Sequence, residues 1–430
     1  MQSIRIEEDD LRLPQNSHMR RILLAQLPAD FADWLDYVAI ISLFTYTWQV
    51  DPVYFAWFIV CLTGPYVVIG PLAGALVDRF DLKGVMVGAN FGRALTTFAL
   101  AFAGLPELML VLVALRGAVD SFFSPAKQVA IQTLATRDEL MATNSASHVI
   151  NQTSKVAGPA VGGALLLLIS PQMVFVVNGV VSLLAMAILL GLPANLKPKT
   201  DTSTDVGDKS TSMFSEIAKG FAVVLEKPAL WVTIGLAAMG FFAIFLYDTL
   251  LGPLTRELGF DQTILGMSIA AVGGGGVLGA LLLGSVKRQI HPYLLMGPSM
   301  IIVSGFTILL GWLAINGWVI PSYVFIAAFF TVGVINVGTF VPIRIVLQLE
   351  TPPDKMGRVT AVNEMTSIVA MMSAPFIGAS LAALYELGVP FIVGGSLTLI
   401  LGILTLILIK FVHFSAAGDL ADLSKAPESG

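Results

Sequence analysis

Charge is scarce in this chain of 430 residues. Asp, Glu, Lys and Arg make up 12% of it, about half of what a soluble domain carries. With 56% hydrophobic residues and a mean hydropathy of +0.83, that shortage excludes both an ordinary water-soluble enzyme and a disordered chain. No block of Lys or Arg is present to neutralise phosphates, so nucleic acid is not an expected partner. A single cysteine, Cys61, excludes an internal disulfide and a thiolate zinc cage. The four histidines, His18, His148, His291 and His413, are scattered and form no His-Glu-x-x-His motif, so no metal or other cofactor is expected. No Gly-Lys-Ser/Thr follows the run Gly273–Gly276, which therefore reads as close helix packing and not as a phosphate loop. The first residues lack the basic start and short apolar stretch of a signal peptide.

What is present is apolar sequence in helix-length pieces. A membrane-spanning helix needs about 20 residues, and the hydrophobic content suffices for roughly a dozen. Spans are expected at 22–48, 53–77, 84–104, 107–134, 141–169 and 172–192, then at 229–254, 262–286, 293–315, 318–348, 358–386 and 389–413. These runs do not alternate apolar and polar residues, which excludes a barrel. The expected fold is an all-α integral membrane protein of twelve transmembrane helices, a six-helix bundle over 22–192 and another over 229–413. Residues 1–21 and 414–430 read as tails, and 193–228 as a hydrophilic linker whose later part, Met213 to Leu225, suits an interfacial helix. Lys and Arg crowd the tails, the linker and the even-numbered loops, while the odd-numbered loops hold only Arg256. By the positive-inside rule both termini and the linker are expected in the cytosol.

The two halves repeat each other. Ser124-Pro125-Ala126-Lys127 and Val341-Pro342-Ile343-Arg344 close spans 4 and 10. Met141-Ala142-Thr143-Asn144 and Thr360-Ala361-Val362-Asn363 open spans 5 and 11. Gly158-Pro159-Ala160-Val161-Gly162 corresponds to Ala374-Pro375-Phe376-Ile377-Gly378. Parallel repeats of this kind belong to transporters with a site near the bilayer midplane.

On these residues the chain resembles the major facilitator superfamily from about residue 20 to residue 413. Gly70, Gly74, Asp78, Arg79 and Lys83 look like the family's gating loop motif, although Asp81 stands where Gly is usual and Leu82 where a base is usual. Asp78 is expected to hold the N-terminal end of a neighbouring helix, or to pair with a base such as Arg358, when the cytosolic side is closed. Ser154, Gly158, Pro159, Gly162 and Gly163 resemble the antiporter motif, with Ser154 in place of its first Gly. Ser124 to Lys127, Asn144, Pro352-Pro353 and Met356-Gly357-Arg358-Val359 are similar to the subgroup of macrolide-efflux proteins and enterobactin exporters. A Gly-x-x-x-Gly spacing bares one helix face to a close neighbour, and Pro159 removes a helix hydrogen bond. Plain membrane-helix packing accounts for the same residues.

Ionisable residues inside spans are costly and functional by default. Here they are Asp30, Asp33 and Asp36 in span 1, Arg93 in span 3, Arg116 and Asp120 in span 4, and His148 and Lys155 in span 5. At ~1.5 Å per residue, Asp30, Asp120 and His148 form an inner tier, Asp33 and Arg116 a central one, and Asp36 and Lys155 an outer one. The expected pairs are Asp33–Arg116 and Asp36–Lys155, while Arg93 is expected to snorkel to the cytosolic interface. Asn144, His148, Asn151, Gln152 and Lys155 share one stripe of span 5, which suits a cavity wall or a buried structural network. Asp33 best matches the subgroup's span-1 acid.

These observations and the resemblance together imply a secondary transporter in the bacterial inner membrane that exports a small amphipathic molecule: a drug, a macrolide-like compound or a siderophore. Its expected partners are that substrate, protons and the lipid bilayer, and a monomer is expected to suffice. Carboxylates outnumber bases within the first-half spans, and a buried carboxylate without a basic partner retains a proton more readily than one in water. Proton antiport through Asp30, Asp36 or Asp120, with His148 as a relay, is therefore expected. A lysophospholipid transporter of the same fold is the alternative. A membrane enzyme needs clustered catalytic groups, which the sequence lacks, and a channel needs a filter segment.

Overall fold

The computed structural model describes residues 16–77, 79–197, 213–285, 291–352 and 355–411. The expected tails before residue 16 and beyond residue 411, linker residues 198–212, and Asp78 lie outside the described residues, as do the side chains of His148 and Gln152. Every regular element among the described residues is helical. In chain order the α-helices are α1 (Ser17–Ser42), α2 (Pro52–Val77), α3 (Leu82–Ala101), α4 (Pro106–Asp120), α5 (Phe123–Leu134), α6 (Arg137–Leu165), α7 (Pro171–Leu190), α8 (Met213–Glu226), α9 (Pro228–Phe245), α10 (Leu251–Glu257), α11 (Gln262–Ser285), α12 (Pro292–Ile315), α13 (Ser322–Glu350), α14 (Met356–Leu384) and α15 (Val389–Leu408).

Each of the twelve expected spans is helical. Among the described residues, nine helical segments are long and apolar enough to cross a membrane. The other three, α1, α3 and α6, carry the intramembrane Asp30, Asp33, Asp36, Arg93 and Lys155, which lowers their hydropathy. The stretch from Met213 expected at the interface is helical, as α8.

Helix starts follow local chemistry. Proline stands in the first turn of α4, α7, α9, α12 and α15, where its missing N–H has no partner to lose. Asn16 caps α1 by accepting from His18 N at 3.0 Å. Asp81 caps α3 by accepting from Gly84 N at 2.8 Å, so the acid that replaces the motif's usual glycine has a structural task. At α6, Thr136 and Glu139 form a reciprocal capping box. The Thr136 backbone N–H and hydroxyl hold the Glu139 carboxyl below the usual carboxylate range.

Two expected spans are interrupted. Span 4 divides into α4 and α5 at Ser121-Phe122. Pro125 has no N–H to return to the Ser121 carbonyl, which is the bond a continuous helix needs there. Span 7 divides into α9, a 3-10 turn at Asp248–Leu250 and α10.

The chain separates into two compact units, Met1–Ser203 with Phe260–Gly273, and Thr204–Gly259 with Gly274–Gly430. The boundary falls within α11. In the first unit α1 packs on α6 and α7, α3 on α7 and α4, and α2 on α4. In the second, α9 packs on α14 and α15, and α12 on α15 and α13, while Gly275 and Gly279 of α11 abut Phe330 and Val334 of α13. The same scheme of partners thus recurs, helix for helix.

Small residues permit the closest approaches. A Cβ on Gly158 would lie 2.7 Å from the Trp34 Cβ, so α6 seats directly on α1 beside Asp33. Gly163 faces the Gly266 carbonyl in the same manner. Gly88 of α3, by contrast, has nothing within 4 Å of an added Cβ. Gly158→Leu should therefore cost about 1–3 kcal/mol through overpacking, read as a lower melting temperature of the purified protein. Gly88→Ala should stay within about 0.5 kcal/mol of the parent.

Candidate functional site

Asp33 and Asp36 of α1, Arg93 of α3, and Arg116 and Asp120 of α4 meet in one buried cluster in the first unit. Asp30, Asp33 and Asp36 lie three residues apart on α1, and each such step turns about 60° backward around the helix. The three carboxylates therefore fan out toward different neighbours.

Asp33 is the centre. Its Oδ1 accepts from Arg93 Nη2 at 2.7 Å and from Arg116 Nη2 at 2.5 Å. The two guanidinium side chains are 3% and 4% exposed, whereas the Asp33 side chain is 37% exposed, so Asp33 is the open face of the cluster. Arg93 also donates to Asp120 Oδ1 at 3.3 Å and to the Ala29 carbonyl at 2.5 Å. Tyr66 of α2 donates its hydroxyl proton to Asp120 Oδ2 at 2.6 Å. Arg116 donates through Nε to Thr97 Oγ1 at 3.2 Å, and the same Nε lies 3.2 Å from Asp36 Oδ2. Asp36 is 2% exposed, with the Arg116 guanidinium and the Asn178 side chain as neighbours. Asn178 of α7 lies beside Asp36 and donates to the Ala32 carbonyl at 3.0 Å. Three carboxylates here face two guanidiniums, one positive charge short of balance.

A second network lies one turn toward the start of α1. Asp30 Oδ2 accepts from Gln26 Nε2 at 2.9 Å and from Asn151 Nδ2 at 3.3 Å. Gln26 is tied to Ser147 by two bonds, Nε2 to the carbonyl at 3.0 Å and Oε1 from the hydroxyl at 2.7 Å. Lys127 Nζ donates to the Ser147 hydroxyl at 3.3 Å, so the Lys of the Ser-Pro-Ala-Lys run reaches this network.

The structure departs from the expected arrangement in two places. Arg93 does not snorkel to the interface: it is buried, because two carboxylates and a helix carbonyl hold it. Asp36 makes its ion pair with Arg116 and not with the expected Lys155, which lies exposed on α6; the rotation of α1 and α4 points their side chains at each other. The expected Asp33–Arg116 contact is present. Tyr66, Thr97, Asn178, Gln26 and Ser147 were not anticipated. Their signal was a lone hydrogen-bonding side chain inside an apolar run, which a search for ionisable residues passes over.

In the stretch that resembles the gating motif, Lys83 donates to the Leu192 carbonyl at 2.8 Å, and Arg21 donates to the neighbouring Gly191 carbonyl. Both cations sit at the carbonyl end of α7, where the helix dipole favours them. Arg79 is exposed, Gly74 half-buried, and Arg358 stands in the first turn of α14, exposed, in the second unit. In the run that resembles the antiporter motif, Ser154 donates to the Asn151 carbonyl at 2.8 Å. Ser154 and Gly158 are buried, and Gly162 faces Leu35 and Val38 of α1. Pro159 lies within the uninterrupted α6. Among the described residues, no group of three or more His, Cys, Asp or Glu side chains is arranged to hold a metal ion.

Residues 22–367 match the sequence profile of the Major Facilitator Superfamily. The uncharacterised MFS-type transporter YfiS of Bacillus subtilis (strain 168) is 29% identical over 395 residues, covering 90% of this chain and 92% of that protein. Macrolide efflux protein A of Streptococcus pyogenes is 26% identical over 358 residues, covering 79% and 83%. Among solved structures, the nucleoside transporter NupG superposes with a TM-score of 0.66 at 14% identity, over 92% of this chain and 100% of that one; this likeness concerns the fold alone. The chain belongs to the Major Facilitator Superfamily. It is a multi-pass membrane protein and a transporter, which implies a small-molecule substrate.

Removing one member of a buried ion pair strands the other and costs about 3–5 kcal/mol. Arg116→Ala, Asp33→Asn and Arg93→Ala should each lower the melting temperature of the purified protein and abolish transport. Full transport by a well-expressed Arg116→Ala or Arg93→Ala protein would contradict the cluster's role.

Proposed function

We propose that the protein exports a small amphipathic molecule of the macrolide kind from the cytosol in exchange for protons, by alternating access between two six-helix bundles. One observation carries this function: a buried cluster on α1, α3 and α4 in which three carboxylates meet two guanidiniums, with Asp33 half open. A carboxylate surplus held out of water takes up a proton, and a change of water access releases it. The relationship to macrolide efflux protein A supports efflux as the direction and a macrolide as the probe. The antiporter-like run from Ser154 to Gly163, seated on α1 at Trp34, places a close helix contact beside the cluster. The distribution of Lys and Arg supports termini and linker in the cytosol. A bacterial cell membrane and a monomeric unit complete the proposal.

The test uses purified protein in liposomes, radiolabelled erythromycin and an imposed pH gradient without ATP. Erythromycin should accumulate against its gradient as protons leave by the opposite route, and collapsing the pH gradient should stop it. Uphill accumulation that persists after collapse would contradict proton coupling. Transfer of a labelled lysophospholipid in place of erythromycin would favour the lipid-transporting alternative.

A further inference from the structure

The network around Asp30 stands apart from the ion pairs of Asp33, and the transport proposed above gives it no task. It joins α1 to α6 by two rungs. Gln26 and Asp30 are four residues apart on α1, and Ser147 and Asn151 four apart on α6, so each pair shares one helix face. Gln26 bonds to Ser147 at 2.7 and 3.0 Å, and Asn151 to Asp30 at 3.3 Å. Lys127 of α5 reaches the first rung. Its backbone lies ~10 Å from the end of α5, whereas the Ser147 that its amine meets lies ~15 Å into α6. The side chain therefore points away from the loop between the two helices, the reverse of snorkelling.

The donors and acceptors of this network are unevenly used. Both Gln26 amide hydrogens are taken, by Asp30 Oδ2 and by the Ser147 carbonyl. The Ser147 hydroxyl gives its hydrogen to Gln26 Oε1 and accepts one from Lys127 Nζ at 3.3 Å. An ammonium carries three hydrogens, so two on Lys127 have no acceptor among the described residues. No described carboxylate lies within ion-pair distance of Lys127, and its acidic neighbour Asp120 is engaged by Arg93 and Tyr66. Asp30 accepts through Oδ2. Its Oδ1 has no donor among the described residues and is not shut away from solvent. Asp30 and Lys127 are both half-buried.

A ligand that completes both ends offers a donor to Asp30 and, beside it, an acceptor to Lys127. The adjoining cluster sets three carboxylates against two guanidiniums. Its excess of negative charge favours a cation as the donor and disfavours a further anion as the acceptor. An ammonium next to a neutral hydroxyl meets both demands. We propose that Asp30 and Lys127 form a substrate subsite for an amphipathic amino alcohol, with the ammonium on Asp30 Oδ1 and the hydroxyl oxygen on Lys127 Nζ. Lys127 is the specificity-determining residue, because it repels a bare amine and binds one that brings an oxygen. Gln26, Ser147 and Asn151 position the two ends. The subsite rests on the export of small amphipathic molecules proposed above and refines it, since the amino sugar of a macrolide presents an ammonium beside a hydroxyl.

The test is equilibrium binding to the full-length protein in detergent, without a pH gradient. The probes are propranolol, a lipophilic amine with a hydroxyl near its nitrogen, and deoxypropranolol, the same molecule without that hydroxyl. The parent should bind propranolol about tenfold more tightly, the effect of one hydrogen bond from a charged donor. Lys127→Met should abolish the preference by weakening propranolol alone, and Lys127→Arg should keep a preference. Asp30→Asn should weaken both probes alike, by at least about tenfold. A purely structural network would instead weaken both probes together in Lys127→Met and leave their ratio at the parent value. The proposal is overturned by an absence of binding or of preference in the parent, a result that needs no variant to fold. It is also overturned by an unchanged preference in Lys127→Met, or by parent-like binding of both probes to Asp30→Asn. The expected pattern without any pH-driven erythromycin movement would retire macrolide export and keep the subsite. Erythromycin export driven by a pH gradient, in a parent that does not prefer propranolol, would retire the subsite alone.

Discussion

Two guanidinium groups sit almost entirely out of water, and a single carboxylate oxygen, Asp33 Oδ1, accepts from both. That contact ties α1 to α3 and to α4 through their side chains. Without it, Arg93 would keep only Asp120 at 3.3 Å and Arg116 only Asp36 at 3.2 Å, and losing a buried partner costs a large part of a protein's net stability. Around this centre each further group has a definable task. Ala29 and Thr97 take up remaining guanidinium hydrogens, Tyr66 completes Asp120, and the close seat of α6 at Gly158 holds α1 in register.

The second unit lacks a counterpart of this cluster among its described residues. Its helix partners repeat those of the first unit, but its core is joined by neutral bonds such as Thr233–Tyr293 at 2.8 Å. Its buried acid, Glu350, lies at the end of α13, where Lys227 donates to its backbone carbonyl at 2.7 Å. Duplicated architecture therefore carries specialised chemistry in one half. That division leaves the buried ion pairs in one unit and a mostly neutral core in the other.

Much of the fold was legible from the sequence because hydrophobic runs of helix length leave few alternatives, and because proline marks the helix starts. The break after Asp120 was not, although Pro125 encodes it, because a proline in a membrane helix is compatible with both a bend and a break. For the site, counting rise per residue placed Asp33 and Arg116 at one depth. Depth along a helix carries no information about which face points where, and that is why Arg93 was sent to the interface and Asp36 to Lys155. Those choices depend on helix rotation, which long-range packing sets. Asn178, Thr97 and Tyr66 matter because they are neutral partners to charges, a role visible only when the charges and their neighbours are placed together.

The central claim is that Arg116 and Asp33 stabilise the first unit as a coupled pair and not as separate polar groups. A double-mutant cycle measures this directly, comparing melting temperatures of purified Arg116→Gln, Asp33→Asn and the combined variant in one detergent. The account predicts that the combined variant loses clearly less than the two single losses added together, because in it neither Arg116 nor Asp33 is left behind without the other, with a coupling of about 0.5–3 kcal/mol. Losses that simply add would contradict it.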